Sequence, residues 1–264
     1  MRIAFLHLAP IPANLAGNRR LIEEGVGVAA REGAEWILTP ELCVSGYTFA
    51  DRIGTEWIDP APDAWTSTLC ATVARLGVAL FLSHPERDPA TGALHNSLFV
   101  IGADGRIRGV HRKINTLPVG SEAWSTPGTL ATPVTVEPVG PVGLLICADA
   151  HSPWIAKSLH AQGARLLVSA AAWAPGLHGP DGEWEQCTRD TGLPLMVCNR
   201  TGSDRILDFR PGSTVVVKDG GRLLDLTAPD STVFLLDWHV DAQGPAGPPR
   251  AIPLAGRAGG PAGT

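Results

Sequence analysis

The chain has 264 residues, 44% hydrophobic and 18% charged, with a formal net charge of −5. That is enough apolar material for a large core, and it excludes wholesale disorder. No run of Lys or Arg offers a face for nucleic acid, and no apolar stretch is long enough to span a bilayer or resembles a secretory signal, so the expected setting is the cytoplasm, without nucleic-acid or membrane partners. Residues 3–8 (IAFLHL) are apolar with little alternation, the pattern of a strand covered on both faces. Pro10 and Pro12 end it, and Leu21, Ile22, Val26, Val28 and Ala29 then recur at helical spacing up to Gly33. A strand at 36–41 (WILTPE) completes a β-α-β unit, which predicts a parallel pair with a right-handed crossover. Residues 51–63 read as irregular, 65–76 as a helix and 78–84 as a strand. Residues 94–102 and 106–113 read as an antiparallel hairpin turning at Ala103, Asp104 and Gly105, followed by a Pro- and Gly-containing loop at 114–133.

The second half repeats the scheme. A short apolar run, Leu144, Leu145 and Ile146, leads straight into Cys147, and a helix at 154–162 and a strand at 164–173 follow. A Gly/Pro loop at 174–182, a helix at 183–191, a strand at 194–202, a hairpin at 213–226 and a last strand at 232–240 complete the pattern. This makes about ten strands and four helices, mixed in direction, with strand-helix-strand units at 3–41 and 143–173. The expected architecture is α/β, with helices outside two packed sheets. Beyond Ala242 the composition collapses to Gly, Pro, Ala and Arg, so one domain is expected over 1–241, with 242–264 as a flexible tail.

Five cysteines, Cys43, Cys70, Cys147, Cys187 and Cys198, are scattered without a CxxC pair. That spacing disfavours both a disulfide framework and a zinc site, and no His/Asp/Glu cluster has ligand spacing, so neither metal nor cofactor is expected. Cys147, at the carboxyl end of a core strand beside small residues and an acid, is placed as a nucleophile would be, although a buried structural cysteine fits the spacing equally well. Glu41, at the end of the strand in TPELCVSGY, is a carboxylate whose partial desolvation would suit it to proton transfer; a strand-end acid paired with a base is the alternative. Lys113, in HRKINTLP, could steady a thiolate or an oxyanion, or simply be solvated.

Together these stretches resemble the carbon–nitrogen hydrolase family, also called the nitrilase superfamily. PELCVSGY, RKINTLP and GLLICAD match its glutamate, lysine and cysteine motifs in order, with GAEWILTPE before and CNRTG after. The resemblance covers nearly the whole ordered chain and implies a four-layer α-β-β-α sandwich, often a homodimer or larger homo-oligomer through the outer helices. It implies a Glu41–Lys113–Cys147 triad that cleaves a non-peptide C–N bond of a small amide through a cysteine thioester. Glu41 would be the base, and Lys113 with the backbone amide of Ala148 would hold the oxyanion. Glu122 matches a second glutamate that positions the lysine and the substrate. Trp124 and Trp173 are candidates for pocket walls, with core packing as the alternative for each; His151 is a candidate for the pocket mouth.

The chain departs from the family's patterns in three places. Asn115 stands where members often have His, and the run Ala150, His151, Ser152, Pro153 lacks the Arg that N-carbamoyl amino acid amidases use to grip a carboxylate. Ala148-Asp149 replaces the Trp-Glu usual in the nitrile-cleaving branch, which favours amides. The other readings are a nitrilase, an amide-forming acyltransferase, or a catalytically silent binding or scaffold member.

Overall fold

The amino-terminal apolar run forms β1 (Arg2–His7), buried from Ile3 onward in the computed structural model, which describes residues 1–118, 120–176, 179–204 and 207–254. Its side chains alternate between two cores. Ile3 and Phe5 join the larger cluster, which contains the second sheet, while Ala4 and Leu6 join a cluster with the helices. Coverage on both faces is why the strand reads as a continuous apolar run rather than an alternating one. Asn14 caps α1 (Leu15–Arg31) by accepting the Gly17 N–H, and the helix buries Ile22, Val26 and Ala29 along one stripe. Then come β2 (Trp36–Leu38), a single turn α2 (Ala50–Ile53) within the stretch expected to be irregular, and α3 (Ala64–Leu76). Asp63 caps α3, and Gly77 ends it with a φ of 68°, a left-handed conformation that suits glycine. The strands β3 (Ala79–Arg87), β4 (Leu94–Ile101) and β5 (Ile107–Arg112) complete this half.

The second half contributes β6 (Val134–Val136), β7 (Gly140–Ile146), α4 (Pro153–Ala161), β8 (Leu166–Ala171), α5 (Glu183–Thr191) and β9 (Leu195–Asn199). A short ladder of β10 (Ser203–Asp204) and β11 (Leu207–Asp208) precedes the hairpin of β12 (Thr214–Lys218) and β13 (Gly221–Leu226). The chain then returns to the first sheet as β14 (Thr232–His239), β15 (Gly244–Pro245) and β16 (Arg250–Pro253).

The first sheet is ordered β15-β14-β1-β2-β3-β4-β5, with β16 also on β14; the second is ordered β13-β12-β9-β8-β7-β6. Each has a parallel centre, β1-β2-β3 in one and β7-β8-β9 in the other, flanked by antiparallel strands. The larger cluster joins Phe5, Trp36 and Phe81 of the first sheet to Leu144, Ile146 and Val168 of the second, and continues to Ile155 and Leu159 of α4 and Trp184 of α5. The other cluster joins the first sheet to α1 and α3. The result is the expected α-β-β-α sandwich.

The expected tail differs. Ile252 and Ala251 pair with Val233 and Phe234, and Leu254, 5% exposed, packs in the α1 core, with its side chain close to Gly25. An apolar anchor at Ile252 and Leu254 within a Gly/Pro-rich composition makes residues 250–254 part of the domain; residues 255–264 lie outside the described residues. Among the described residues no helix is long and apolar enough to cross a membrane.

Candidate active site

Parallel strands place their carboxyl ends together, and three of the expected groups follow such ends. Glu41 lies three residues past β2, and its N–H donates to the Ala171 carbonyl at 3.2 Å, bridging the two sheets. Lys113 directly follows β5, its N–H on the Asn96 carbonyl at 2.8 Å. The preceding Arg112 is fixed by Glu86, at 2.7 and 3.0 Å, and by Asp88 at 2.7 Å. Cys147 directly follows β7 and begins a 3-10 turn over Cys147–His151. The pairing of Ile146 with Ala170 brings this turn beside the end of β8. Cys147 has a φ of 45°, a conformation costly for a residue with a Cβ and held here by its surroundings.

These groups form one buried cluster. Lys113 Nζ donates to Glu41 Oε1 at 2.7 Å and to both oxygens of Glu122, at 2.7 and 2.8 Å. Lys113 is 1% exposed, and Glu41 and Glu122 are 0% exposed. Glu122 ends a 3-10 turn over Gly120–Glu122, inside the stretch expected to be loop. The Ala172 N–H donates to Glu41 Oε2 at 3.0 Å and also acts on the Cys147 sulfur. Burial raises the Glu41 carboxyl above the usual carboxylate range, against the pull of Lys113. Burial works against the Lys113 ammonium, yet Glu41 and its other anionic neighbours hold its pKa well above the usual lysine value. Burial, and then the charge of Glu41, push the Cys147 thiol well above its ordinary value, with Lys113 opposing. Burial thus favours the neutral thiol at Cys147, within reach of the charge of Glu41.

Asn96, Asp149, His111 and Tyr47 complete the site and were not singled out by the sequence reading. Asn96 Nδ2 donates to Glu41 Oε1 and Glu122 Oε1, both at 2.8 Å. Its signal was a polar run, His95, Asn96 and Ser97, at the start of a strand that is apolar from Leu98 onward. Asp149 is 0% exposed; Oδ1 accepts the N–H groups of Ile114 (3.0 Å) and Asn115 (2.8 Å), and Oδ2 accepts those of Ile146 (2.9 Å) and the His111 ring (2.8 Å). Burial alone would raise this carboxyl; the His111 hydrogen bond and the backbone donors outweigh it and hold the pKa below the usual range. Tyr47 donates its hydroxyl to Glu122 Oε2 at 3.3 Å.

The two tryptophans part company. Trp124 lies edge-on to Phe49, 5.1 Å between centroids, in a cluster that contains Tyr47 and Ala172. Trp173 belongs to the larger core, against Trp184 at 5.4 Å and His151 at 4.9 Å. His151 is half exposed and pairs with Glu183 at 3.4 Å. Ala148 follows the nucleophile position, and its carbonyl accepts the Asn115 side chain at 2.7 Å. A cleft of about 1080 Å³, lined in part by Glu35, Ala79, Arg108 and Thr135, lies by the amino-terminal ends of β2 and β3, away from the Glu41 end of the sheet.

Comparison with known proteins agrees with this fold. The family model described as carbon-nitrogen hydrolase matches residues 2–237. A chloroplastic omega-amidase of Arabidopsis thaliana is 33% identical over 85% of this chain and 63% of its own length. A citrullinase of Francisella tularensis is 30% identical over 72% of this chain and 71% of its own. A mutant of the amidase of Nesterenkonia sp. AN1, a nitrilase-superfamily enzyme, solved with acrylamide added at its active-site cysteine, superimposes with a TM-score of 0.75 at 25% identity, covering 90% of this chain and 93% of that one. With motifs, sandwich and buried Glu–Lys–Glu cluster in agreement, the chain belongs to the carbon-nitrogen hydrolase family, within the nitrilase superfamily.

Proposed function

We propose that this protein is a thiol amidohydrolase that cleaves the C–N bond of small linear amides through a thioester on Cys147. The observation that carries the reading is the placement of Lys113 Nζ at 2.7 Å from both Glu41 and Glu122 in a buried set that also acts on the Cys147 sulfur. Cys147 Sγ bonds to the amide carbonyl carbon as its proton passes to Glu41. Lys113 and the Ala148 N–H hold the oxygen that becomes negative. The tetrahedral adduct collapses as Glu41 returns the proton to the leaving nitrogen; the C–N bond breaks, and ammonia or an amine departs. Water then gives a proton to Glu41 as its oxygen bonds to the thioester carbon; the C–S bond breaks, Glu41 returns the proton to the sulfur, and the acid is released with the thiol restored.

Glu41 is the base rather than Glu122 because its charge acts on the thiol more strongly, while both Glu122 oxygens accept from Lys113. Glu122 and Asn96 position the lysine. Trp124 borders the substrate; Trp173, the other candidate wall, supports the cysteine turn through His151. We infer assembly into a homodimer or larger homo-oligomer through α4 and α5, where Trp154 is 53% exposed, and expect Trp154→Glu to lower the mass seen by sedimentation. The activity is tested by incubating the protein with acetamide and butyramide, assaying ammonia, and trapping acylated Cys147 by mass spectrometry. Amide turnover without any acylated cysteine would remove the thioester route.

A further inference from the structure

The two catalytic-site carboxylates each touch one aromatic cluster. Ala172 donates its N–H to Glu41, Tyr47 donates its hydroxyl to Glu122, and both side chains pack with Phe49, Phe209, Trp57 and Trp124. Phe49 is fully buried and meets Trp57 edge-on at 5.4 Å and Trp124 at 5.1 Å. Trp57 and Trp124 are themselves only half-buried, so apolar surface continues from the carboxylates toward solvent. Their indole N–H groups are held within their own loops, by the Gly54 carbonyl at 3.1 Å and the Ser121 carbonyl at 3.0 Å. The rings therefore have no polar demand left to make of a ligand.

Among the described residues, the buried and half-buried cations around this wall are engaged elsewhere. Lys113 donates to Glu41 and Glu122. Arg200 lies over the Phe209 ring at 4.2 Å, is 0% exposed, and faces Asp204 at 3.5 Å. Arg87 donates to the Ile58 carbonyl at 2.7 Å. His84, buried at the edge of Trp57, is shifted toward its neutral form by burial. A carboxylate on the acyl tail of a substrate would lose hydration beside Glu122 without gaining a partner, a cost an apolar tail avoids.

We infer that this wall is the acyl subsite and that the preferred substrates are neutral amides with an apolar acyl chain, to the exclusion of carboxylate-terminated amides. The inference rests on the amidohydrolase reading and narrows it. The test has two arms. In the first, kcat/KM is measured for acetamide, propionamide, butyramide and the monoamide of succinic acid. Each added methylene is expected to raise kcat/KM about fourfold. The succinic monoamide should fall at least about a hundredfold below butyramide.

In the second arm, binding of the same amides to Cys147→Ala is followed by tryptophan fluorescence, which needs no turnover. Affinity should climb with chain length, and Trp124→Ala, or Trp124→Leu if the first does not fold, should flatten both series. A flat series, or a succinic monoamide used as well as butyramide, overturns the acyl subsite while leaving amide cleavage standing. Chain-length-dependent binding with no ammonia released from any amide supports the subsite and overturns the hydrolase reading.

Discussion

The side chain of Asn115 donates to the Ala148 carbonyl at 2.7 Å, which ties the residue two beyond the lysine to the residue one beyond the nucleophile. Asp149 adds two more ties to the same segment, through the N–H groups of Ile114 and Asn115, so the lysine and cysteine elements are fastened directly to each other. Asn115→Ala is expected to cost about 1 kcal/mol of stability and to lower kcat about tenfold with little change in KM. Asp149→Ala orphans several buried donors and should cost about 3 kcal/mol or more. Urea unfolding and steady-state kinetics on the folded fraction check both.

Cys147→Ala removes the proposed attacking sulfur and disturbs little packing, because the side chain is small. Ammonia release should fall to the assay background while circular dichroism and the thermal midpoint stay near those of the parent. Retained turnover would falsify the mechanism.

Lys113 holds two carboxylates that would otherwise repel one another. Lys113→Met leaves Glu41 and Glu122 buried together and should destabilise the protein by roughly 3–5 kcal/mol at neutral pH. The loss should shrink as pH falls and one carboxylate takes up a proton. A loss independent of pH would show that the two acids do not share this charge.

In the proposed mechanism Glu41 carries the pH dependence of the rate. Its carboxyl is raised by burial, and it is a base only when ionised, so kcat/KM should fall as pH drops through a value above the usual carboxylate range. Glu41→Gln should lower turnover by about three orders of magnitude or more and abolish that limb. A near-normal rate would assign proton transfer elsewhere.

His7 gives an independent acid sensitivity. Burial lowers its pKa to about 4, its Nδ1 lying 2.8 Å from the Asn199 carbonyl and 3.1 Å from Thr214 Oγ1. The unfolded chain takes up this proton near pH 6.5 and the folded one only near 4, so stability is full above about 6.5 and is lost as pH falls toward 4, by about 3 kcal/mol. His7→Gln should flatten the stability profile in that window, measured by denaturant unfolding at stepped pH.

The central strands and the longer helices were legible because both faces of those strands are covered, which leaves unbroken apolar runs such as residues 3–8, whereas the two-residue ladders β10, β11 and β15 carry no pattern to read. The positions of Glu41, Lys113 and Cys147 were legible because each follows a strand end inside a recognisable local string. Asn96 and Asp149 were not, since a single amide or acid in a sequence carries no sign of which distant groups it will bridge. The short turns at 50–53 and 120–122 escaped for a related reason: one helical turn has no periodicity to read. Residues 250–254 resemble a tail because Gly and Pro dominate the sequence on either side of them, and only the pairing with β14 and the burial of Leu254 reveal the anchor.

Glu41 is tied through its N–H to the Ala171 carbonyl, so the proposed reaction centre straddles the seam between the two sheets and belongs to neither alone. A half-formed molecule, with one sheet assembled and the other still loose, has no reaction centre at all. In refolding, far-ultraviolet ellipticity should therefore recover ahead of enzymatic competence, and the reappearance of turnover would time the moment at which the two halves close.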